Sequence, residues 1–249
     1  MLQAATDAAP RSPHLVLCEL KNQPLPGLES YSPFCLKVHR ALRAAGLAYE
    51  SRTATTPDGH RDVKPQRQVP VLLIDGRPIA DSTPILAALA ALHPTPAWAA
   101  VDPREHAEAL LWEELADTAL NGFLVASRWA DDRNWPNLVT AYFGAAPWPV
   151  RRVIAPALRR RVVAGLVARD IWRAGPDACW RRFQILLDAL DRRAPATGFW
   201  LGEHLGLADL ALFAQLHSLR TPLTPWQHAQ LQARPALLAW LDRVDQATR

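Results

Sequence analysis

The chain has 249 residues, 49% hydrophobic and 21% charged, with a net charge of +4. That length suits one large domain or two ordinary ones, and the composition excludes a disordered chain or a disulfide-stapled miniprotein. Three scattered cysteines (Cys18, Cys35, Cys179) make no CxxC pair and no disulfide framework, which points to a reducing compartment. Met1 to Pro13 lacks a basic segment leading into an apolar core, so it reads as a tail and not as a secretory signal. The apolar runs fall well short of the roughly 20 residues that span a bilayer.

In chain order, His14 to Leu20 reads as a strand, and a Pro/Gly/Asn-rich loop follows over Lys21 to Tyr31. Ser32-Pro33 opens a helix, with a hydroxyl cap and a proline in the first turn. Phe34, Val38, Leu42 and Ala45 form its expected inner face, and Gly46 stops it. Tyr49 to Ala54 is a second strand. Val71 to Ile74 and Pro78 to Ala80 flank Asp75-Gly76, which suits a two-residue hairpin turn. Ser82 is expected to cap a helix over Thr83 to Leu92.

His93 to Pro103 (HPTPAWAAVDP) carries three prolines and reads as an interdomain linker. Strand signals then vanish. A long helical period runs through Leu110, Leu111, Leu115, Leu120 and Leu124, and further helices are expected at Val150 to Arg173, Asp177 to Arg193, Leu207 to Leu219 and Pro235 to Ala247. The expected divisions are a tail at 1–13, an α/β domain at 14–92, the linker at 93–103 and an all-helical domain at 104–249.

Three features carry chemistry. At Ser32-Pro33-Phe34-Cys35, a hydroxyl at a helix N-terminus sits where amide groups and the helix dipole favour negative charge, such as a thiolate. In Gln68-Val69-Pro70-Val71, a cis X-Pro bond would leave the preceding backbone free to pair with an extended, peptide-like ligand. At Asp81-Ser82, a hydroxyl and a helix N-terminus suit a ligand carboxylate, while the aspartate suits an ammonium. Taken singly, Ser32 and Ser82 also fit ordinary helix capping.

The order of these features, followed by a Pro-rich linker and helices alone, resembles the glutathione S-transferase family over about His14 to Ala247. Ser32 to Val38 (SPFCLKV) and Gly202 to Leu219, with Pro235-Ala236 and Trp240, are most similar to the metaxin- and Fax-like branch, including its bacterial members. The resemblance implies an α/β thioredoxin-like N-terminal domain followed by an all-α domain. It implies glutathione as co-substrate, a small apolar electrophile as second substrate, and a homodimer, while the cysteine usage and the missing signal segment lead to the expectation of a cytoplasmic protein. It assigns Ser32 to the sulfur, Val69 and Pro70 to the cysteinyl backbone, and Asp81 and Ser82 to the γ-glutamyl end.

The loop before Ser32 is long, so Tyr31 is an alternative sulfur-facing residue. The late helix has Gly206 where the family carries a hydroxyl three residues before Asp209, leaving the aspartate half of a capping box. A thiol–disulfide enzyme using Cys35 and a non-catalytic metaxin-like adaptor are the rival readings. Trp112, Trp129, Trp135 and Trp148 are expected near the interdomain cleft. Arg151 to Arg173 carries seven arginines against Asp170 and reads as a solvated helix face, so no nucleic acid and no membrane are expected as partners. The eight histidines show no ligand spacing, and no metal is expected.

Overall fold

The computed structural model describes residues 12–63, 68–92, 98 and 102–249. The expected tail (1–13) and linker (93–103) fall, for most of their length, outside the described residues.

The first part contains β1 (Leu15–Leu20), α1 (Pro33–Ala44), β2 (Glu50–Ala54), β3 (Val71–Ile74), β4 (Arg77–Ala80) and α2 (Ser82–Leu92). The sheet order is β2-β1-β3-β4, with β1 parallel to β2 and antiparallel to β3. Parallel pairing of consecutive strands needs a crossover, which α1 supplies. Gly46 ends α1 with φ +65°, and the amides of Gly46 and Leu47 satisfy the Arg43 and Leu42 carbonyls at 2.8 and 3.0 Å. Asp75 and Gly76 both have positive φ (50° and 80°), as a type I′ hairpin turn requires. The turn is tied to the start of β1, because His14 and Asp75 exchange bonds of 2.9 Å. Between β2 and β3, a 3-10 turn at Pro57–His60 is anchored by His60 Nε2, which lies 2.8 Å from the Glu19 carbonyl.

The helical part comprises α3 (Pro103–Glu114), α4 (Asn121–Trp129), α5 (Trp135–Phe143), α6 (Ala155–Ala168), α7 (Gly175–Arg193), α8 (Leu207–His217), α9 (Pro225–Gln232) and α10 (Pro235–Thr248). A π-helical turn at Leu115–Leu120 joins α3 to α4, and a second at Val150–Ile154 leads into α6. All of α8 is buried, and it forms the centre of this half. Asp209 secures its start by accepting from the Gly206 and Trp200 amides (2.9 and 2.8 Å) and from Trp240 Nε1 (2.9 Å).

Several expectations need correction. Leu110 and Leu111 are exposed; the buried positions of α3 and the π turn are Ala109, Glu113, Ala116 and Leu120. Glu113 faces inward because Lys37 of α1 binds it at 2.6 Å. The helix expected through Arg173 ends at Ala168, and Asp170 takes a left-handed φ of 64°. Helices α5 and α9 were not expected at all.

Two buried cations on α1 join the halves. Lys37 pairs with Glu113 and with Asp117 (2.8 Å), while Arg40 pairs with Asp245 (2.8 Å) and donates to the Thr248 hydroxyl (3.2 Å).

Candidate functional site

A pocket of about 300 Å³ is lined by Phe34, Gln68, Val69, Pro70 and Asp81. It therefore gathers the first turn of α1, the approach to β3 and the turn between β4 and α2. Three of the five expected site residues line it. Ser32 and Ser82 do not, but each lies within two residues of one that does. A larger concavity of about 820 Å³, beside His14, Tyr49 and Asp75, holds none of the expected site residues.

The Val69–Pro70 bond is cis. Pro70 accepts from the Asp81 amide at 3.1 Å, which binds the approach to β3 to the start of α2. Among the described residues, the Val69 backbone has no hydrogen-bond partner. Asp81 has φ +80°, a left-handed conformation that Asp tolerates better than most residues. Its carbonyl accepts the first helical bond, from Ile85 at 3.1 Å.

The expectation that Ser82 caps α2 is thus corrected. Asp81 occupies the cap position and Ser82 is the first helical residue. The Ser82 hydroxyl is fully buried and has no hydrogen-bond partner among the described residues. Buried hydroxyls are nearly always satisfied; among the described residues Ser82 and Ser218 are the two that are not, and Ser82 is the one beside the pocket.

Ser32 caps α1 as expected, its Oγ accepting from the Cys35 amide at 3.3 Å. A serine hydroxyl that accepts one bond still has its proton to donate. Cys35 lies beneath it with no exposed surface. Burial pushes its thiol up to about 12, against the opposing pull of the Ser32 hydroxyl.

Tyr31 is buried, its ring stacked at a tilt on Tyr142 with centroids 5.1 Å apart, and it does not line the pocket. Burial and Tyr142 together raise its phenol above the usual value, with Arg128 opposing. Its carbonyl accepts from Arg128 of α4, which also donates to the Ser218 carbonyl at 3.0 Å and the Tyr142 hydroxyl at 3.2 Å. The helical half thereby holds the turn that carries Ser32.

Phe34, Gln68 and Arg128 were not read as site residues. The Ser-Pro helix start put Phe34 within reach of the site, although the periodicity assigned it to the core. Gln68 immediately precedes the Val-Pro pair. Arg128 had no local signal, since its partner lies 97 positions away. None of the four tryptophans expected at the cleft lines the pocket. Trp112 packs on Trp200 (5.2 Å) and Trp129 on Trp135 (6.2 Å), while Trp148 is exposed. Among the described residues, no group of three or more His, Cys, Asp or Glu is placed to hold a metal.

Family comparisons agree with this architecture. Residues 33–134 match the model of the glutathione S-transferase N-terminal domain, and residues 154–243 match that of the glutathione S-transferase C-terminal domain. Together these spans cover more than half of the chain, which belongs to the glutathione S-transferase family. Its first half is the thioredoxin-like domain and its second the helical domain. No curated protein matches the chain.

Solved structures share the fold. The β-etherase LigF of Sphingobium sp. strain SYK-6 is 20% identical with a TM-score of 0.59, over 93% of this chain and 94% of that one. The Tau class glutathione S-transferase MiGSTU of mango, Mangifera indica, is 17% identical with a TM-score of 0.60, over 95% and 93%. A glutathione S-transferase of Methylobacterium radiotolerans, solved in complex with glutathione sulfonate, is 20% identical with a TM-score of 0.58, over 93% and 90%.

Proposed function

We propose that the chain binds glutathione in the pocket formed by Phe34, Gln68, Val69, Pro70 and Asp81, and activates its thiol for attack on a small apolar electrophile. The observation that carries this reading is convergence. Val69-Pro70 and Asp81, which come from separate stretches of sequence, line one pocket at the N-termini of two helices. The polar groups there fit the ligand. The Val69 backbone is unpaired and can pair with the cysteinyl residue of glutathione. The Asp81 carboxylate suits the γ-glutamyl ammonium. The Ser82 hydroxyl, without a protein partner, and the first amides of α2 suit the adjoining carboxylate.

Ser32 is assigned to the sulfur. Its hydroxyl, which already acts on the neighbouring Cys35 thiol, and the N-terminus of α1 both favour a thiolate. Each unit by which a thiol pKa falls corresponds to about 1.4 kcal/mol of preference for the charged form. One hydrogen bond and a helix terminus supply about one to two such units. Bound glutathione supplies the nucleophile; the protein orients it and stabilises its charge. No covalent role falls to Ser32.

The rival enzyme, with Cys35 as nucleophile, is disfavoured by burial. A thiol titrating at about 12 is almost wholly protonated at neutral pH. The metaxin- and Fax-like assignment rests on the segments Ser32–Val38 and Gly202–Leu219. Three buried free cysteines support a reducing, cytoplasmic setting.

The test is an ultraviolet titration of the glutathione thiolate bound to wild type and to Ser32→Ala. The bound thiol should titrate about one unit lower on wild type than on the variant, which keeps the helix N-terminus and loses only the hydroxyl. With an aryl halide electrophile, kcat/KM should fall about 10- to 150-fold, the worth of a 1.5–3 kcal/mol bond to a charged sulfur, while glutathione affinity holds. Equal pKa values in the two proteins would remove Ser32 from this role.

A further inference from the structure

From residue 133 to residue 169 the sequence holds seven arginines and no acidic residue. Two of these arginines are engaged within the protein: Arg133 with Asp131, and Arg159 with Asp132, both at 2.6 Å. Arg151, Arg160 and Arg161 are exposed and form no ion pair among the described residues. Arg152 lies over the ring of Trp148 at 5.9 Å.

The second π turn and α6 are apolar on two sides. Ala155 and Leu166 are buried, and Val162 packs against the core. On the outer side, Val153 is 63% and Ile154 54% exposed, with Leu158 one turn on and Trp148, itself 62% exposed, just before the turn. A solvated basic face accounts for the arginines but leaves these apolar side chains in water without a reason. Contiguous exposed apolar surface on a soluble domain marks an interaction site.

We infer that this face docks on an anionic lipid surface. Exposed aliphatic and indole side chains on one short segment with exposed guanidinium groups match the boundary between acyl chains and negatively charged headgroups. Nucleic acid would engage the arginines but offers Val153 and Ile154 little to bury against. A two-fold contact between two copies centred here would set arginine against arginine, with no carboxylate in the stretch to offset them. The attachment is peripheral, for among the described residues no helix is long and apolar enough to cross a membrane. None of the pocket-lining residues lies in this segment, so docking and glutathione binding are separable.

Co-sedimentation of the full chain with vesicles tests this. The chain should bind vesicles of mixed phosphatidylcholine and phosphatidylserine and not those of phosphatidylcholine alone. The surface pair Arg160→Gln with Arg161→Gln should lower the partition coefficient about 30-fold, at ~1 kcal/mol per arginine. The pair Val153→Ser with Ile154→Ser should lower it about 10-fold or more, and circular dichroism should show both variants folded. Equal binding to the two vesicle types, or binding to neither, overturns the inference. So does a concentration-dependent dimer that the aliphatic pair abolishes while vesicle binding stays absent. Retention on duplex DNA as strong as on the vesicles and indifferent to the aliphatic pair would likewise overturn it, in favour of a general polyanion surface.

Discussion

Asp209 and His217 stand at opposite ends of α8 and respond to pH in opposite senses. Burial pushes the Asp209 carboxyl up from 3.8 to about 6, although it accepts from Gly206, Trp200 and Trp240. The native state therefore takes up this proton before the unfolded chain does. Asp209 adds stability at low pH, and that stability is lost as pH rises through about 6. His217 is stacked on Phe213 and donates to the Gly27 carbonyl at 2.7 Å. Burial, with Arg40 and Arg220 nearby, lowers its pKa below 6.5, while the Gly27 bond and Asp245 oppose the shift. Here the unfolded chain protonates first, so stability is lost as pH falls below 6.5. Urea midpoints measured across this range should show His217→Gln losing less stability toward acid than wild type. Asp209→Asn should lose more. Curves parallel to wild type in both variants would contradict these assignments.

Helix α1 couples the site to the rest of the molecule, since Ser32 begins it and Lys37 and Arg40 bind the helical half. Lys37 is fully buried between Glu113 and Asp117, and Glu113 also accepts from the Thr83 hydroxyl at 2.8 Å. Removing one member of a buried ionic cluster leaves the others uncompensated. Lys37→Met should cost about 3–5 kcal/mol in urea unfolding, and adding Glu113→Gln should recover part of the loss. A cost near that of a surface ion pair, below about 1 kcal/mol, would contradict the role given to Lys37.

The same helix marks what the sequence made legible. Ser32-Pro33 and Gly46 delimit α1 through local chemistry, and Asp75-Gly76 defines its hairpin, so all three could be read directly. The inward turn of Glu113 depends on Lys37, 76 positions away, and no single-helix period reveals it. That pairing is why the period through Leu110 and Leu111 does not mark the buried face. Helix α5 does carry an apolar stripe, Trp135, Leu138, Val139 and Tyr142, which the short, Pro-containing segment obscured; α9 buries only Gln227 and Leu231 and has no such stripe to detect. Ser82 was read as a cap because the left-handed φ that makes Asp81 the cap has no sequence signature beyond the aspartate itself.

At the scale of the whole molecule, the pocket is built within the first half, and the helical half holds that half in place. Lys37, Arg40, Arg128 and His217 each bridge the two parts, and Arg128 fixes the backbone just before Ser32. The central claim is that the pocket beside Val69, Asp81 and Ser82 takes glutathione. Isothermal titration with glutathione tests it most directly, comparing wild type with Ser82→Ala. The Ser82 hydroxyl makes no bond within the protein, so its removal should leave the stability of the free protein unchanged or slightly raised. The variant should nonetheless bind glutathione about 10- to 150-fold more weakly, the cost of one 1.5–3 kcal/mol hydrogen bond to a charged group. No binding to wild type, or equal affinity in the two proteins, would contradict the account.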